Sequence, residues 1–313
     1  MNFLFISYHM ARRQLKEEYG KDEILAEDMG FFYHIFFNKY NYLFKTYGNL
    51  IICHEGMGSL DWRRSIYSDY KRNRDKSKTE QSYLDLKKTF PVVEGILDLY
   101  PTKQIKVDGM EADDVMYAIA MHEAAKGEEV LVISTDKDMI QLKNKFDSID
   151  VYSPIKRLYY EKQENIVMEK AVCGDASDNI PGLYRVGPKT LEKMLVDKDL
   201  WRKKMANGNK EIYESFTKII DLSLFPADKH AEAVKQYEEM EYNLFDPNQI
   251  ELFYFEQKLQ DHLTRWGSEA GDIIDELTNQ GIKTKSFNPF KNTIVSMEAE
   301  VDTDVDDFLK DFI

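Results

Sequence analysis

Three carboxylates, Glu111, Asp113 and Asp114, fall within four positions of the stretch KVDGMEADDVMYAIA, directly ahead of an apolar helical run. An acid in the first turn of a helix caps free N–H groups and complements the helix dipole, which accounts for one or two of them but not readily for three. Asp136 and Asp138 follow the apolar run EVLVI, and Asp175 and Asp178 stand three apart in GDASDNIPG, where one helical turn would share their face. Taken singly, the Asp136 pair reads equally well as a helix cap and DNIPG as a turn. Together, and with Glu55 as an eighth acid, the clusters would repel one another strongly unless divalent cations neutralise them. A set made of carboxylates alone suits hard ions, Mg²⁺ or Mn²⁺, rather than zinc. Two such ions about 4 Å apart can activate a water and stabilise the attacking and leaving oxygens of a phosphodiester displacement.

To gather these acids the chain needs elements whose ends share an edge. NFLFIS reads as a first strand, the helical run ILAEDMGFFYHIFFNKYNYLFKTYG ends at Gly48, and NLIICHE reads as a buried strand. A helix over about 82–99, a strand at KQIKVD, the helix led by Glu111 and a strand at EEVLVIST follow. The alternation predicts an α/β fold with a largely parallel central sheet and flanking helices. Its ligand site should lie beyond the carboxyl ends of the strands, where Ser7, Glu55, Glu111 and Asp136 would converge. From about residue 164 helical patterns dominate. The expected organisation is an α/β domain over 1–163 with a basic region at about 62–82, a helical domain over 164–290, and a polar, acidic, disordered tail over 291–313.

At 313 residues, 43% of them apolar and 13% aromatic, the chain holds enough core material to fold without staples. Cys53 and Cys173 form no CxxC pair, which argues against a disulfide framework or a zinc site. No apolar run approaches the roughly 18 residues of a membrane span, and the basic residues follow the first apolar segment, the reverse of a secretion signal. A soluble, cytoplasmic, monomeric protein is the expectation. The net charge of −14 argues superficially against nucleic acid, but residues 298–313 alone hold seven acids against Lys310. The bases bunch instead in WRRSIYSDYKRNRDKSK, where Trp62, Tyr67 and Tyr70 interleave them. Such runs are most often solvated faces, yet cations among aromatics also suit unpaired nucleic acid.

The series WRR…YKRNR, GMEADDV, STDKDMIQL and GDASDNIPGLYRVGPKT, in this order and spacing, resembles the FEN-like 5′ nucleases. That family includes flap endonucleases and the 5′ nuclease domains of bacterial DNA polymerases. WRR, YSPIKRLYY and IIDLSLFPAD are similar to the T-even bacteriophage ribonuclease H branch. The resemblance covers roughly residues 2–225. It implies that Glu55, Glu111, Asp113, Asp114, Asp136, Asp138, Asp175 and Asp178 hold two Mg²⁺ ions, with Mn²⁺ as substitute. Glu55 stands where the family usually has Asp, and Ser7 where a family Asp ends the first strand, which points to altered metal affinity and possible loss of catalysis.

The resemblance further implies a helical arch in which Lys71 and Arg74 reach the scissile phosphate and Tyr70 stacks beside it. In NIPGLYRVGPKT the glycines let backbone N–H groups approach a phosphate ahead of a helix. This stretch resembles the helix-hairpin-helix at about 174–195, with Gly182, Gly187, Lys189 and Thr190 on the duplex and K⁺ on main-chain carbonyls. Arg185 replaces a glycine usual there. The expected activity is metal-dependent 5′-3′ exonuclease and flap or RNA-primer removal in replication, with branched or 5′-flapped DNA and RNA–DNA hybrids as partners. A weakened or inactive protein that binds branched DNA is the alternative. A PIN-like ribonuclease would share the carboxylates but lack the hairpin extension. Phe308, Leu309, Phe312 and Ile313 close the acidic tail and suggest docking on a sliding clamp or single-strand-binding protein.

Overall fold

The computed structural model describes residues 2–21, 24, 29–48, 50–74 and 81–287. The tail from 291, with the partner expected for it, and Lys76 and Lys78 of the basic region lie outside them. The chain runs α1 (Asn2–Tyr19), α2 (Met29–Tyr47), β1 (Ile51–Glu55), α3 (Asp61–Ile66), α4 (Gln81–Leu97), β2 (Lys103–Val107) and α5 (Ala112–Ala125). It continues through β3 (Val130–Ile133), α6 (Ile140–Lys145), β4 (Ile149–Ser153), β5 (Leu158–Tyr159) and α7 (Ile166–Cys173). Six helices complete it: α8 (Pro188–Val196), α9 (Lys198–Lys204), α10 (Asn209–Ile220), α11 (Ala227–Glu239), α12 (Pro247–Glu256) and α13 (Gln260–Asn279). The fold is α/β with small sheets. β1 pairs with β2, while β3 and β4 are parallel and β5 returns antiparallel on β4.

The opening segment departs from the expected strand. Ser7, Tyr8, Ala11, Gln14 and Leu15 are its buried positions, a spacing that repeats every three to four residues and so marks one face of a helix. A short apolar run does not by periodicity distinguish a buried strand from a buried helix, and here RRQLKEE, rich in helix formers, carries the helix through. Ser7 therefore does not end a strand. It is buried within α1, its hydroxyl without a hydrogen-bond partner. No helix among the described residues is long and apolar enough to cross a membrane.

The described residues form two compact units. One draws on the described residues within 1–52, 81–104 and 240–313, the other on those within 53–80 and 105–239. The first is packed around aromatic rings of α2, α12 and α13, including Phe32, Phe36, Phe37, Tyr254 and Trp266. Asn41, Tyr100 and Tyr254 share hydrogen bonds at 2.8–3.2 Å inside it, so their buried polar groups are satisfied. The second unit carries all the acidic clusters. Its sheet of β3 and β4 packs Val132, Ile149 and Val151 against Tyr117, Ala120 and Ala124 of α5.

Where β1 leaves its strand, the backbone runs hard against the end of β2. A Cβ on Gly56 would lie 1.8 Å from the Val107 carbonyl oxygen and 2.7 Å from the Asp108 Cα. Gly56 N–H also donates to the Met110 carbonyl at 3.0 Å, tying Glu55 to the approach of Glu111. Gly56→Ala is expected to cost at least about 2 kcal/mol, because rigid backbone and not a flexible side chain must give way. A urea midpoint equal to wild type would show that the two strand ends can separate freely.

Candidate active site

Glu111 is the N-cap of α5 and forms a reciprocal capping box with Asp114, whose side chain accepts the Glu111 N–H at 3.2 Å. This positions both carboxylates before any ion is considered. Arg63 of α3 then enters the cluster. It donates to both Asp114 oxygens at 2.7 and 2.6 Å, to Glu111 Oε1 at 3.1 Å, and through Nε to the Ile219 carbonyl at 2.8 Å. Asp114 thus faces a guanidinium with both oxygens. Lys71, at a φ of 53°, extends its ammonium to Glu111 Oε2 and lies 3.9 Å from Asp178. Tyr70 donates to Glu111 at 3.1 Å and to Asp178 at 3.4 Å.

On the facing side, Asp136 caps a short turn by accepting the Asp138 N–H at 2.9 Å. Lys170, in the last turn of α7, bridges Asp138 and Asp175, with 2.8 Å to the latter. Asp175 Oδ1 accepts from the Ser177 N–H at 2.9 Å and hydroxyl at 2.6 Å, while Arg74 donates to Asp178 at 2.9 Å. One oxygen each from Asp138, Asp175 and Asp178 lies within 4.8 Å of the others. Arg63, Tyr70, Lys71, Glu111, Asp113, Asp138 and Asp178 line one cleft, closed by Ile219, Ile220 and Leu222. Glu55, half-buried at the end of β1, is not among its lining residues.

The charge states follow from these partners. Burial alone would lower the affinity of Arg63 and Lys71 for their protons, but Asp114 and Glu111 reverse this and raise both. Burial works against the ionised form of Glu111 as well, and Lys71 and Arg63 overcome it, so its carboxyl titrates below the usual range. For Asp113 the same Lys71 charge is outweighed. Burial and the nearby charge of Asp136 push it well up. Asp178 is also raised, by burial, despite Lys71 and Arg74. Burial raises Asp138 to about 6, with Asp136 adding to it and Lys170 opposing. Asp175, against its burial, is held down to about 2 by Lys170 and Ser177.

With every acid ionised, seven acids (Glu111, Asp113, Asp114, Asp136, Asp138, Asp175, Asp178) against four cations (Arg63, Lys71, Arg74, Lys170) give the cluster a formal net −3, which the raised Asp113 and Asp138 reduce when they hold protons. Raised carboxyls and close, hard oxygens in a negative cleft fit a divalent cation with oxygen ligands. Because Asp138 titrates higher folded than unfolded, its ionisation costs stability as pH rises from about 4 to about 6. The contribution of Asp175 has the opposite sign, present above pH about 4 and lost toward pH about 2. Asp138→Asn in a chelator should therefore flatten the fall in urea midpoint between pH about 4 and about 6. An unchanged pH profile would assign the fall to another group.

Several residues lie differently from a nucleic-acid grip read off the basic stretch. Trp62 packs edge-on against Phe225 at 4.9 Å and Tyr67 against Phe216 at 5.2 Å, and Tyr70 is only 3% exposed. Trp62 of α3 thus meets a ring beyond α10, and Tyr67, just past α3, meets one within α10. Lys170 belongs to the cluster although nothing in the linear sequence singles it out, and so does Arg63, which the WRR motif marks only as one base of a basic run. Gly182 lies at a φ of 73°, where a Cβ would come within 2.5–2.7 Å of the backbone at 172–174, so the turn after Asp178 crosses the end of α7 tightly. Gly187 caps α8 and accepts the Thr190 N–H at 2.8 Å, and Lys189 is exposed beside it. Arg185 adopts a φ of 54°, a conformation that glycine takes more readily, and its carbonyl accepts from Lys204 at 3.2 Å.

The second unit thus collects carboxylates from a helix start, a post-strand turn and a helix-end turn into one acidic site with the oxygen donors a divalent cation takes. The chain belongs to the family described as 5′-3′ exonuclease, N-terminal resolvase-like domain, whose profile matches residues 1–174. It is 26% identical to DNA polymerase I of Bacillus subtilis over 76% of this chain and 29% of the polymerase. It is 31% identical to a 5′-3′ exonuclease of Buchnera aphidicola over 61% of this chain and 65% of that protein. The chain thus covers less than two thirds of the length of both relatives. Its fold is similar to that of the T5 D15 protein co-crystallised with metal ions, with a TM-score of 0.50 and 19% identity over 65% of this chain and 89% of that one.

Proposed function

We propose that this protein is a divalent-metal-dependent, structure-specific 5′ nuclease, removing 5′ flaps, 5′ ends or RNA primers during replication, in a phage setting. The observation that carries the reading is the triad of Asp138, Asp175 and Asp178 oxygens within 4.8 Å, in a chain of the 5′-3′ exonuclease family. Asp138, Asp175, Asp178 and Asp113 would hold Mg²⁺ or Mn²⁺, with Glu111, Asp136 and Glu55 shaping the field around two ions. When bound, the metal supplies the Lewis acidity that polarises the phosphodiester and eases deprotonation of the attacking water.

The chain's own residues do the remainder. Arg74, its side chain 46% exposed beside Asp178, would meet a phosphate arriving from solvent. Lys71 is poised one ion pair deeper and adds positive charge where the transition state gains negative charge. Tyr70 orders Glu111 and Asp178 through its hydroxyl. Lys189 and Thr190, with Gly182 and Gly187 shaping the turn, would hold the duplex phosphates without reading sequence. Arg63 fixes Asp114 and with it the start of α5. A second reading, a branched-DNA-binding protein with weak catalysis, is favoured by Ser7, a neutral residue buried in a helix where the family carries an acid at a strand end. Incubating a 5′-labelled flap duplex with the protein and Mg²⁺ or Mn²⁺ beside a chelator control tests both. Short 5′ products in metal alone support the nuclease. Binding without products in either ion supports the second reading.

A further inference from the structure

We propose that Lys170 is an exchangeable internal counter-cation of the carboxylate site, holding Asp138 and Asp175 at ion-ligand spacing in the metal-free protein and yielding them to a divalent ion. The inference rests on the metal reading above. Lys170 reaches the cluster from the last turn of α7, its neighbours Ala171 and Val172 buried and its own side chain 19% exposed. Its ammonium spans two of the three carboxylates whose oxygens converge within 4.8 Å. Asp175 Oδ1 is already taken by the Ser177 N–H and hydroxyl, and Lys170 occupies Oδ2. An ion seeking Asp175 through Oδ2 therefore meets the lysine first.

Physical chemistry separates this lysine from Arg63. Arg63 grips Asp114 bidentately, and a rigid planar fork of that kind is a permanent lock. An ammonium is a point charge on a flexible stem, able to rotate out and be rehydrated. It brings one charge at 2.8 Å to Asp175, whereas Mg²⁺ brings two charges at about 2.1 Å. Coulomb attraction scales with charge over distance, so the ion wins the oxygens and the ammonium leaves. Without the lysine the empty cluster would be more negative by one charge, and an incoming ion would face no competitor.

The test is Mn²⁺ binding to the full chain by calorimetry, comparing wild type, Lys170→Met and Lys170→Arg. Lys170→Met is expected to bind Mn²⁺ at least about tenfold more tightly, the scale on which groups touching metal ligands tune affinity. Lys170→Arg, which keeps the charge, should bind no more tightly than wild type. A merely structural lysine would give the reverse for Lys170→Met, weaker binding together with a lower melting temperature. On the wild-type protein, mass-spectrometric mapping of amine acylation should show Lys170 labelled several-fold faster once Mn²⁺ is added. Equal or weaker Mn²⁺ binding by a folded Lys170→Met, or Lys170 labelling unchanged by the ion, overturns this inference and leaves the metal site standing. No Mn²⁺ binding by any of the proteins overturns the metal reading and the inference together.

Discussion

Asp178→Asn is expected to lower cleavage of a 5′-flap duplex by on the order of 10³-fold, because the change removes several kcal/mol of charge stabilisation supplied around the ion. Asp178 is the triad member that also meets the basic segment, through Arg74 at 2.9 Å, Lys71 at 3.9 Å and the Tyr70 hydroxyl at 3.4 Å. The amide keeps the shape and one acceptor oxygen and deletes only the charge. Two effects then oppose each other. Losing the pair with half-exposed Arg74 frees that guanidinium for phosphate, a modest gain of about 1 kcal/mol or less at such an exposed position. On the proposed metal reading, losing an ion ligand would weaken the centre that polarises the reacting phosphate, and this loss would outweigh the gain. Relief of repulsion among Asp138, Asp175 and Asp178 should leave the fold intact or firmer, since the Asp178 carbonyl still accepts the Lys71 N–H at 2.9 Å. Single-turnover cleavage and flap-duplex affinity in a chelator are the measurements. Wild-type turnover in the variant would remove Asp178 from the metal shell, and a parallel loss of affinity would make it a DNA-grip residue instead.

The strands around the site could be read from the chain because two are short apolar runs and the third, KQIKVD, alternates apolar and polar residues. NLIICHE, KQIKVD and EEVLVIST hold β1, β2 and β3, and the helix start at Glu111 was marked by its own acids. NFLFIS departs from its strand reading for a physical reason: four apolar residues in a row satisfy a strand and a buried helix equally, and packing against α2 selects the helix. The carboxylates were legible because their crowding is anomalous in one dimension. The cations that answer them were not. Arg63 looked like one base in a basic run, and Lys170 like an ordinary lysine completing the dipole at a helix C-terminus. Only the fold brings Arg63 across 51 positions to Asp114 and Lys170 across 32 to Asp138. Nor could a linear reading show that two compact units are each assembled from separated stretches.

Arg63→Met should be the most destabilising substitution of a charged residue in the second unit, at about 3–5 kcal/mol, the cost of leaving a buried partner charge uncompensated. Arg63 is 3% exposed and Asp114 not at all, so neither can turn to water when the other is removed. The guanidinium also ties α3 to the Ile219 carbonyl at the end of α10 and lies over the rings of Tyr70 and Phe225 at 5.8 and 5.2 Å. A methionine replaces the stem's packing but none of these polar bonds. Glu111 suffers less, because Lys71 and Tyr70 still serve it. The decisive comparison is therefore with Asp114→Asn and the double variant. If the ion pair is the cause, the double variant should be less destabilised than the sum of the single changes by about 2 kcal/mol or more, within the range found for contacting residues. Additive losses in urea unfolding would locate the role of Arg63 in its contacts with Ile219, Tyr70 and Phe225, and the capping of α5 by Glu111 and Asp114 would then stand without it.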